Sequence, residues 1–179
     1  MVSLNRLHEL DYTYSKKLAA ILDYDGIMRK FLQVITLTGT AVAWLLILPF
    51  FFYFDMSFRQ QAYSMFIINA IMTLVVYIIK LIVRRPRPEF KDDRFLSVSF
   101  DIYSFPSGHA TRAAYVSILM PIYTPWLAWF WYGWAILMIM SRLLLGVHYI
   151  SDILFGLVLG SLSMYVLFQV GLLPYFPMF

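Results

Sequence analysis

Long apolar stretches separated by short polar segments dominate the chain. A membrane-spanning helix needs roughly 20 consecutive, mostly apolar residues. Five stretches approach or reach this length and are predicted to span a membrane: 31–54, 62–83, 108–123, 126–145 and 150–170. Proline interrupts helical hydrogen bonding, so Pro49 is expected to kink the first of them.

The first 28 residues follow a different pattern, with apolar side chains at helical spacing and no continuous apolar stretch. The apolar positions recur every three or four residues: Leu4, Leu7, Leu10, Tyr14, Leu18 and Ile21. This periodicity predicts an amphipathic helix that lies in the membrane interface, the alternative being a soluble helix packed on loops. We therefore expect an interfacial helix over residues 1–28 and a transmembrane domain over residues 29–179, with its motifs in residues 80–152.

The composition favours an all-α, polytopic transmembrane helix bundle. Of the 179 residues, 61% are apolar and 13% are charged, whereas soluble domains are about half apolar and a quarter charged. The net charge of +4 favours anionic lipid headgroups or an anionic substrate over nucleic acid. The absence of cysteine excludes disulfides, thiolate chemistry and cysteine-based zinc sites.

Two polar segments, residues 84–105 and 142–152, separate the apolar stretches at positions that matter for function. Pro86 and Pro88 exclude helix in the first segment. Because two predicted spans lie between these segments, both are expected at the same end of the bundle, together with residues 1–30. Ionisable groups near membrane depth are costly, so those of the two segments are candidates for a functional site.

Eight residues near these segments form the candidate site. His148 and Asp152 are four residues apart, so a helix that begins near His148 would place both on one face. The carboxylate can then hold the imidazole in one tautomer. Ser107 is predicted to cap a helix whose first N–H groups, at Ser107 and Gly108, would face an anion. The full set is Lys80, Arg87, Ser107, Gly108, His109, Arg142, His148 and Asp152.

The order and spacing of these residues resemble the three-part signature of the type 2 phosphatidic acid phosphatase superfamily. The three parts occur in order within residues 80–152: Lys80 with Arg87-Pro88, then Pro106-Ser107-Gly108-His109, then Arg142 with His148 and Asp152. The resemblance implies a membrane lipid phosphatase of the bacterial type. Members of the family commonly have six spans, and the N-terminal amphipathic helix takes the place of the first.

The resemblance also implies a role for each group. His148 would attack phosphorus to form a phosphohistidine, oriented by Asp152, and His109 would protonate the leaving group and then activate water. Lys80, Arg87 and Arg142 would bind the phosphate oxygens. An arginine guanidinium can bind two such oxygens at once. No acidic cluster is available for Mg²⁺, so no metal or other cofactor is expected. A zinc triad of His109, His148 and Asp152 is disfavoured because three nearby cations would repel the ion.

Several of these residues also have simpler interpretations. A lysine near a helix end, such as Lys80, often extends toward the headgroups, and Arg84 and Arg85 would serve as lipid anchors. Arg112 is expected to face either the same cavity or the headgroups, and His8 to lie on the surface. A lipid-binding or lipid-transporting protein that keeps the phosphate site without turnover is the alternative function.

The sequence does not single out one substrate headgroup, and it gives two conflicting signals for the orientation in the membrane. Candidate substrates are phosphatidylglycerophosphate, phosphatidic acid, undecaprenyl pyrophosphate and the 1-phosphate of lipid A. The resemblance implies a bacterial inner membrane with the site facing the periplasm or exterior, and no obligate protein partner is inferred. Against this, Lys and Arg concentrate at the predicted site end, with only Arg59 opposite, which the positive-inside rule would make cytoplasmic. We expect the outer face, because several of these charges are needed for phosphate.

Overall fold

The computed structural model describes residues 4–22, 26–54, 59–88 and 102–171. Within these ranges every regular element is helical, and the 3₁₀ turn Pro125–Leu127 precedes the sixth α-helix. Residues 172–179 lie outside the described residues. The α-helices are α1 Leu4–Ala19, α2 Ile27–Thr38, α3 Ala41–Phe54, α4 Arg59–Val83, α5 Gly108–Tyr123, α6 Ala128–Leu144 and α7 Ile150–Gln169.

The helices form a membrane bundle around a short central helix. Among the described residues, α4, α6 with its preceding turn, and α7 are each long and apolar enough to cross a membrane. Helices α2 and α3 pass the same test when they are counted as one span bent by 57°. Helix α5 has only 16 residues and packs between α6 and α7. The predicted all-α membrane bundle is confirmed, with three to four full-length spans and α5 as a shorter fifth helix.

The first predicted span bends at Gly39 and Thr40, well before Pro49. Gly39 ends α2, and the Thr40 hydroxyl accepts a hydrogen bond of 3.1 Å from the Ala43 N–H at the start of α3. The Thr38 carbonyl, left without a helical partner at the break, accepts a bond of 2.9 Å from the Trp44 indole. Pro49 lies inside α3, so a glycine and a capping threonine, rather than the proline, mark the bend in this span.

Arg112 lies inside the bundle beside this bend. Its guanidinium donates to the Gly39 carbonyl at 2.6 Å, to Asn69 Oδ1 at 2.9 Å and to the Thr73 hydroxyl at 3.2 Å. The Tyr115 hydroxyl donates to the same Asn69 oxygen at 3.0 Å. Arg112 is 5% exposed, so it does not reach the headgroups. It joins α5 to α4 and to the bend between α2 and α3.

Helices α5 and α7 approach each other more closely than side chains would permit. A Cβ atom at Gly156 would lie 2.7 Å from the Ser107 carbonyl oxygen, and one at Gly160 would lie 2.3 Å from the Thr111 carbonyl oxygen. Both neighbours are backbone atoms, so they cannot rotate aside. Two small residues four positions apart are a common device for close helix packing in membranes. This contact places the start of α7 beside the start of α5.

Helix α1 contacts the start of α7 through polar side chains. Leu7, Leu10 and Tyr14 are 52%, 43% and 54% exposed. Ser15 is buried, and its hydroxyl accepts a hydrogen bond of 3.0 Å from the Ile150 N–H. A soluble helix packed on loops would bury its apolar side chains. Leu7, Leu10 and Tyr14 instead face away from the bundle, and the interfacial position of α1 stays a prediction.

Candidate active site

The polar segment after α4 returns to pair with the residues before α5. Pro86 and Tyr103 form an antiparallel bridge. The Ser104 N–H donates to the Arg85 carbonyl at 2.9 Å, and the Ser104 hydroxyl donates to the Pro86 carbonyl at 3.0 Å. Residues 89–101 lie outside the described part of the chain. The pairing brings the start of α5 next to the end of α4.

Ser107 caps α5, as the sequence predicted, and also links it to α7. The hydroxyl oxygen accepts a bond of 3.4 Å from the Ala110 N–H. The backbone N–H of Ser107 donates to the Asp152 carbonyl at 3.1 Å. That bond occupies one of the two N–H groups that the sequence assigned to phosphate. The Ser107 hydroxyl and the Gly108 N–H remain the candidate donors at this position.

His148 and Asp152 form a buried pair at the turn between α6 and α7. Nδ1 of His148 lies 3.5 Å from Oδ2 of Asp152, and the two side chains are 1% and 0% exposed. The same Oδ2 atom accepts a bond of 2.9 Å from the Tyr149 N–H. The predicted spacing of four residues does place both groups together. Because Nδ1 faces the carboxylate, Nε2 lies on the opposite edge of the ring.

Positive charges surround His148. Burial lowers the pKa of the His148 imidazole well below its usual value, and the charges of Arg87, Arg142 and Lys80 lower it further. An imidazole with a depressed pKa is neutral at pH 7 and keeps a lone pair that can attack an electrophile. Three cations beside a neutral histidine form a pocket suited to a phosphate group.

Two of these cations are held by the bundle itself. Lys80, near the end of α4, is 6% exposed, and its ammonium group donates to the Tyr103 carbonyl. It therefore points inward, not toward the headgroups. Arg142, in the last turn of α6, is 2% exposed, and its Nη1 donates to the Thr36 hydroxyl at 2.8 Å. Arg87 Nη1 donates to the Val147 carbonyl at 3.3 Å, next to His148.

His109 lies in the first turn of α5, near a residue that the sequence did not single out. Its Nε2 is 3.2 Å from the carbonyl oxygen of Thr36, whose hydroxyl also receives the bond from Arg142. The Ser141 hydroxyl donates to the Thr36 hydroxyl at 3.3 Å. Thr36 is 1% exposed and lies in a mostly apolar part of α2. Its residue type and position gave no signal of its contact with two site residues.

The structure corrects the expectation that Arg85 is a lipid anchor. Its Nη1 donates to Asp152 Oδ1 and to the Ser151 hydroxyl, both at 2.7 Å, and its Nη2 donates to Asp11 Oδ2 at 2.8 Å. It is therefore not a lipid anchor, whereas Arg84 is exposed. Burial raises the pKa of Asp11, but the hydrogen bonds from Ser151 and Arg85 outweigh it and hold that pKa below its usual value.

The charges at the site suit an anion better than a metal ion. Among the residues that the structure describes, no three His, Asp or Glu side chains are placed to hold a metal. The zinc triad considered from the sequence therefore lacks suitable geometry. Around His148 the cationic side chains are those of Arg87, Arg142 and Lys80, and these three would repel a metal cation and attract phosphate oxygens.

The structure is a membrane helix bundle with a buried histidine–aspartate pair and clustered cations at one end. This arrangement is expected of a membrane protein that binds phosphate groups. Residues 61–173 match the family model described as the PAP2 superfamily. The chain belongs to the PAP2 superfamily, as the three-part signature predicted.

Curated relatives and a solved structure agree with this membership. A protein described as "Probable lipid phosphate phosphatase beta", from Arabidopsis thaliana, is 34% identical over 130 residues, which cover 53% of this chain and 59% of the relative. A decaprenylphosphoryl-5-phosphoribose phosphatase from Mycobacterium tuberculosis is 35% identical over 99 residues, covering 49% and 48%. The chain thus spans about half the length of these relatives.

The fold is shared with a transmembrane PAP2-type phosphatidylglycerolphosphate phosphatase from Bacillus subtilis, known from a crystal structure. The two structures superpose with a TM-score of 0.73 over 97% of this chain and 90% of the other, at 23% sequence identity. At this identity the likeness establishes the common fold.

Proposed function

We propose that this protein is an integral membrane phosphatase that hydrolyses a phosphomonoester or pyrophosphate on a membrane lipid. The main support is the buried His148, whose Nδ1 faces Asp152 and whose surroundings carry the charges of three cationic side chains. Relatives in the same superfamily are described as phosphatases of lipid phosphates. Lys80, Arg87, Arg142, Ser107 and Gly108 are the proposed phosphate-binding residues.

In the first step, Nε2 of His148 attacks phosphorus, and the bond from phosphorus to the leaving oxygen breaks. The product is a phosphohistidine. His109 donates a proton to the departing oxygen, which would otherwise leave as an alkoxide or a phosphate with excess charge. Asp152 stabilises the positive charge that develops on the imidazole. The surrounding cations offset the charge on the nonbridging oxygens.

In the second step, His109 takes a proton from water, whose oxygen attacks phosphorus. The phosphorus–nitrogen bond breaks, inorganic phosphate leaves and neutral His148 is restored. Fixed cations supply the charge that Mg²⁺ supplies in many phosphoryl-transfer enzymes. The proposed reaction is therefore independent of metal ions.

An apolar cavity supports a lipid substrate over a soluble one. It has a volume of about 820 Å³ and lies between the α2–α3 pair and α6. Ile35 and Thr38 of α2 line it, on either side of Thr36, which contacts Arg142 and His109. Its lining also includes Trp126 and Trp129, at the other end of the bundle, and none of the proposed phosphate-binding or catalytic residues. A hydrocarbon tail suits such a lining.

The test is phosphate release by purified protein in detergent, with EDTA present and no metal added. The panel contains the four candidate lipids and one water-soluble phosphate ester. We expect release from at least one lipid at a rate that EDTA does not lower and that vanadate, a phosphate mimic, abolishes. Folded protein that releases phosphate from no lipid, or only when metal is restored, would contradict the proposal.

We further propose that the protein resides in a bacterial inner membrane with its site on the outer face. The chain has no cysteine, so a single introduced one reports its own side. In intact cells, Asp92→Cys should react with a membrane-impermeant maleimide, and Arg59→Cys, at the opposite end of the predicted topology, should be protected. The reverse pattern would place the site in the cytoplasm.

A further inference from the structure

We propose that Arg85 is a positioning residue, which fixes the Asp152 carboxylate so that its second oxygen faces His148, and that α1 holds Arg85 in place through Asp11. The kinetic part of this inference rests on the proposed phosphatase function. The contacts themselves belong to the resting protein and are testable without turnover.

The two oxygens of Asp152 have different partners. Oδ1 accepts the 2.7 Å bond from Arg85. Oδ2 accepts the 2.9 Å bond from the Tyr149 N–H and lies 3.5 Å from His148 Nδ1. Rotation of the carboxylate would break its hydrogen bond with Arg85 or the one with the Tyr149 N–H. The direction of the imidazole therefore depends on Arg85, which acts on it through Asp152.

Arg85 is placed to orient Asp152 and not to bind substrate. Its guanidinium is shared between Asp152 and Asp11, two carboxylates that offset its charge within the protein. One face of the guanidinium lies against the Tyr149 ring, with the central carbon 3.9 Å from the ring centroid. Planar stacking and two ion pairs fix the group in a way that a flexible lysine would not reproduce.

Helix α1 completes the network from the membrane interface. Asp11 Oδ1 accepts a bond of 3.1 Å from the Ser151 N–H, and Oδ2 accepts bonds from the Ser151 hydroxyl and from Arg85. Ser15, one turn later, accepts from the Ile150 N–H at 3.0 Å. The first N–H groups of a helix lack partners within it, and α1 satisfies two of those of α7. The turn that carries His148 is thus docked on α1.

The kinetic test compares Arg85→Met with Arg84→Met, the neighbouring exposed arginine. We expect Arg85→Met to lower kcat about 10–100-fold with little change in KM, by analogy with the loss of a hydrogen-bonding partner behind a metal-binding histidine. Arg84→Met should match the wild type. Asp11→Asn, which keeps the shape but removes the charge, should lower kcat by a smaller factor. A raised KM with unchanged kcat would identify Arg85 as a phosphate ligand and overturn the inference.

The second test is ¹⁵N NMR of the imidazoles, which is practical because the chain has only three histidines. In the wild type, the signal missing from His148→Ala should be that of a ring protonated at Nδ1. Arg85→Met should shift that tautomer balance, and Arg84→Met should not. If Arg85→Met fails to fold, Arg85→Lys keeps the charge without the two-armed geometry, and the same shift is expected. An unchanged His148 signal would refute the inference, whether or not any lipid is hydrolysed.

Discussion

His148→Ala is expected to lower lipid phosphatase turnover by about 10³-fold or more, because it removes the nitrogen that would form the bond to phosphorus. Wild-type protein quenched during turnover of ³²P-labelled lipid should carry a label that is labile in acid and stable in base, as phosphohistidine is. The variant should carry no such label. His8→Ala provides the control, because His8 is an exposed histidine of α1 and its loss should leave turnover unchanged.

The same experiment separates the two histidines of the site. His109→Ala should also lose turnover, but it keeps the proposed nucleophile and should still form some labelled protein with a substrate whose leaving group needs no proton. If the label persisted in His148→Ala and disappeared in His109→Ala, the roles proposed for these residues would be exchanged. Wild-type turnover without any labelled intermediate would favour direct attack by water.

Gly160→Ala is expected to lower the free energy of unfolding by about 1–3 kcal/mol or more, as overpacking of a fixed contact does. The added Cβ would lie 2.3 Å from the backbone carbonyl oxygen of Thr111, so α5 and α7 would have to separate. Separation also strains the bond between the Ser107 N–H and the Asp152 carbonyl. Turnover should therefore fall together with the unfolding midpoint, measured in one detergent for all variants.

Gly133 in α6 supplies the matched control, because a Cβ atom there would meet nothing within 4 Å. Gly133→Ala should leave stability unchanged or raise it by about 0.5–1 kcal/mol, the usual gain from replacing glycine within a helix. Equal unfolding midpoints for the two alanine variants would show that the close α5–α7 contact does not limit stability.

The local signals in the sequence predicted the helices and the end of the bundle at which the polar groups meet. Apolar length placed α4 and α7 to within a few residues, and Ser107 was identified as a cap from its position before the predicted helix. The four-residue spacing of His148 and Asp152 was enough to place them together. These features depend on near neighbours in the chain, so the sequence carries them directly.

The long-range contacts were missed because single residues do not reveal them. Arg85 looked like its neighbour Arg84, and only the docking of α1 shows that it binds Asp11 and Asp152. Thr36 lies in a mostly apolar stretch and was not singled out. The bend at Gly39 was not predicted, because a kink was expected at Pro49 instead, although a glycine followed by a capping threonine is a recognised sign of one helix ending and another beginning.

The short length of α5 has a consequence for the surrounding lipid. Sixteen residues rise about 24 Å at 1.5 Å each, whereas the hydrocarbon core of a typical bilayer is about 30 Å thick. At least one end of α5 is then recessed by several ångströms, and its first turn carries His109. For the proposed lipid phosphatase, either the lipid phosphate is drawn inward or the bilayer thins around the protein, at a cost that grows with the mismatch. We therefore expect bilayer thickness to affect turnover, with membranes of shorter acyl chains bringing the phosphate to the site more readily.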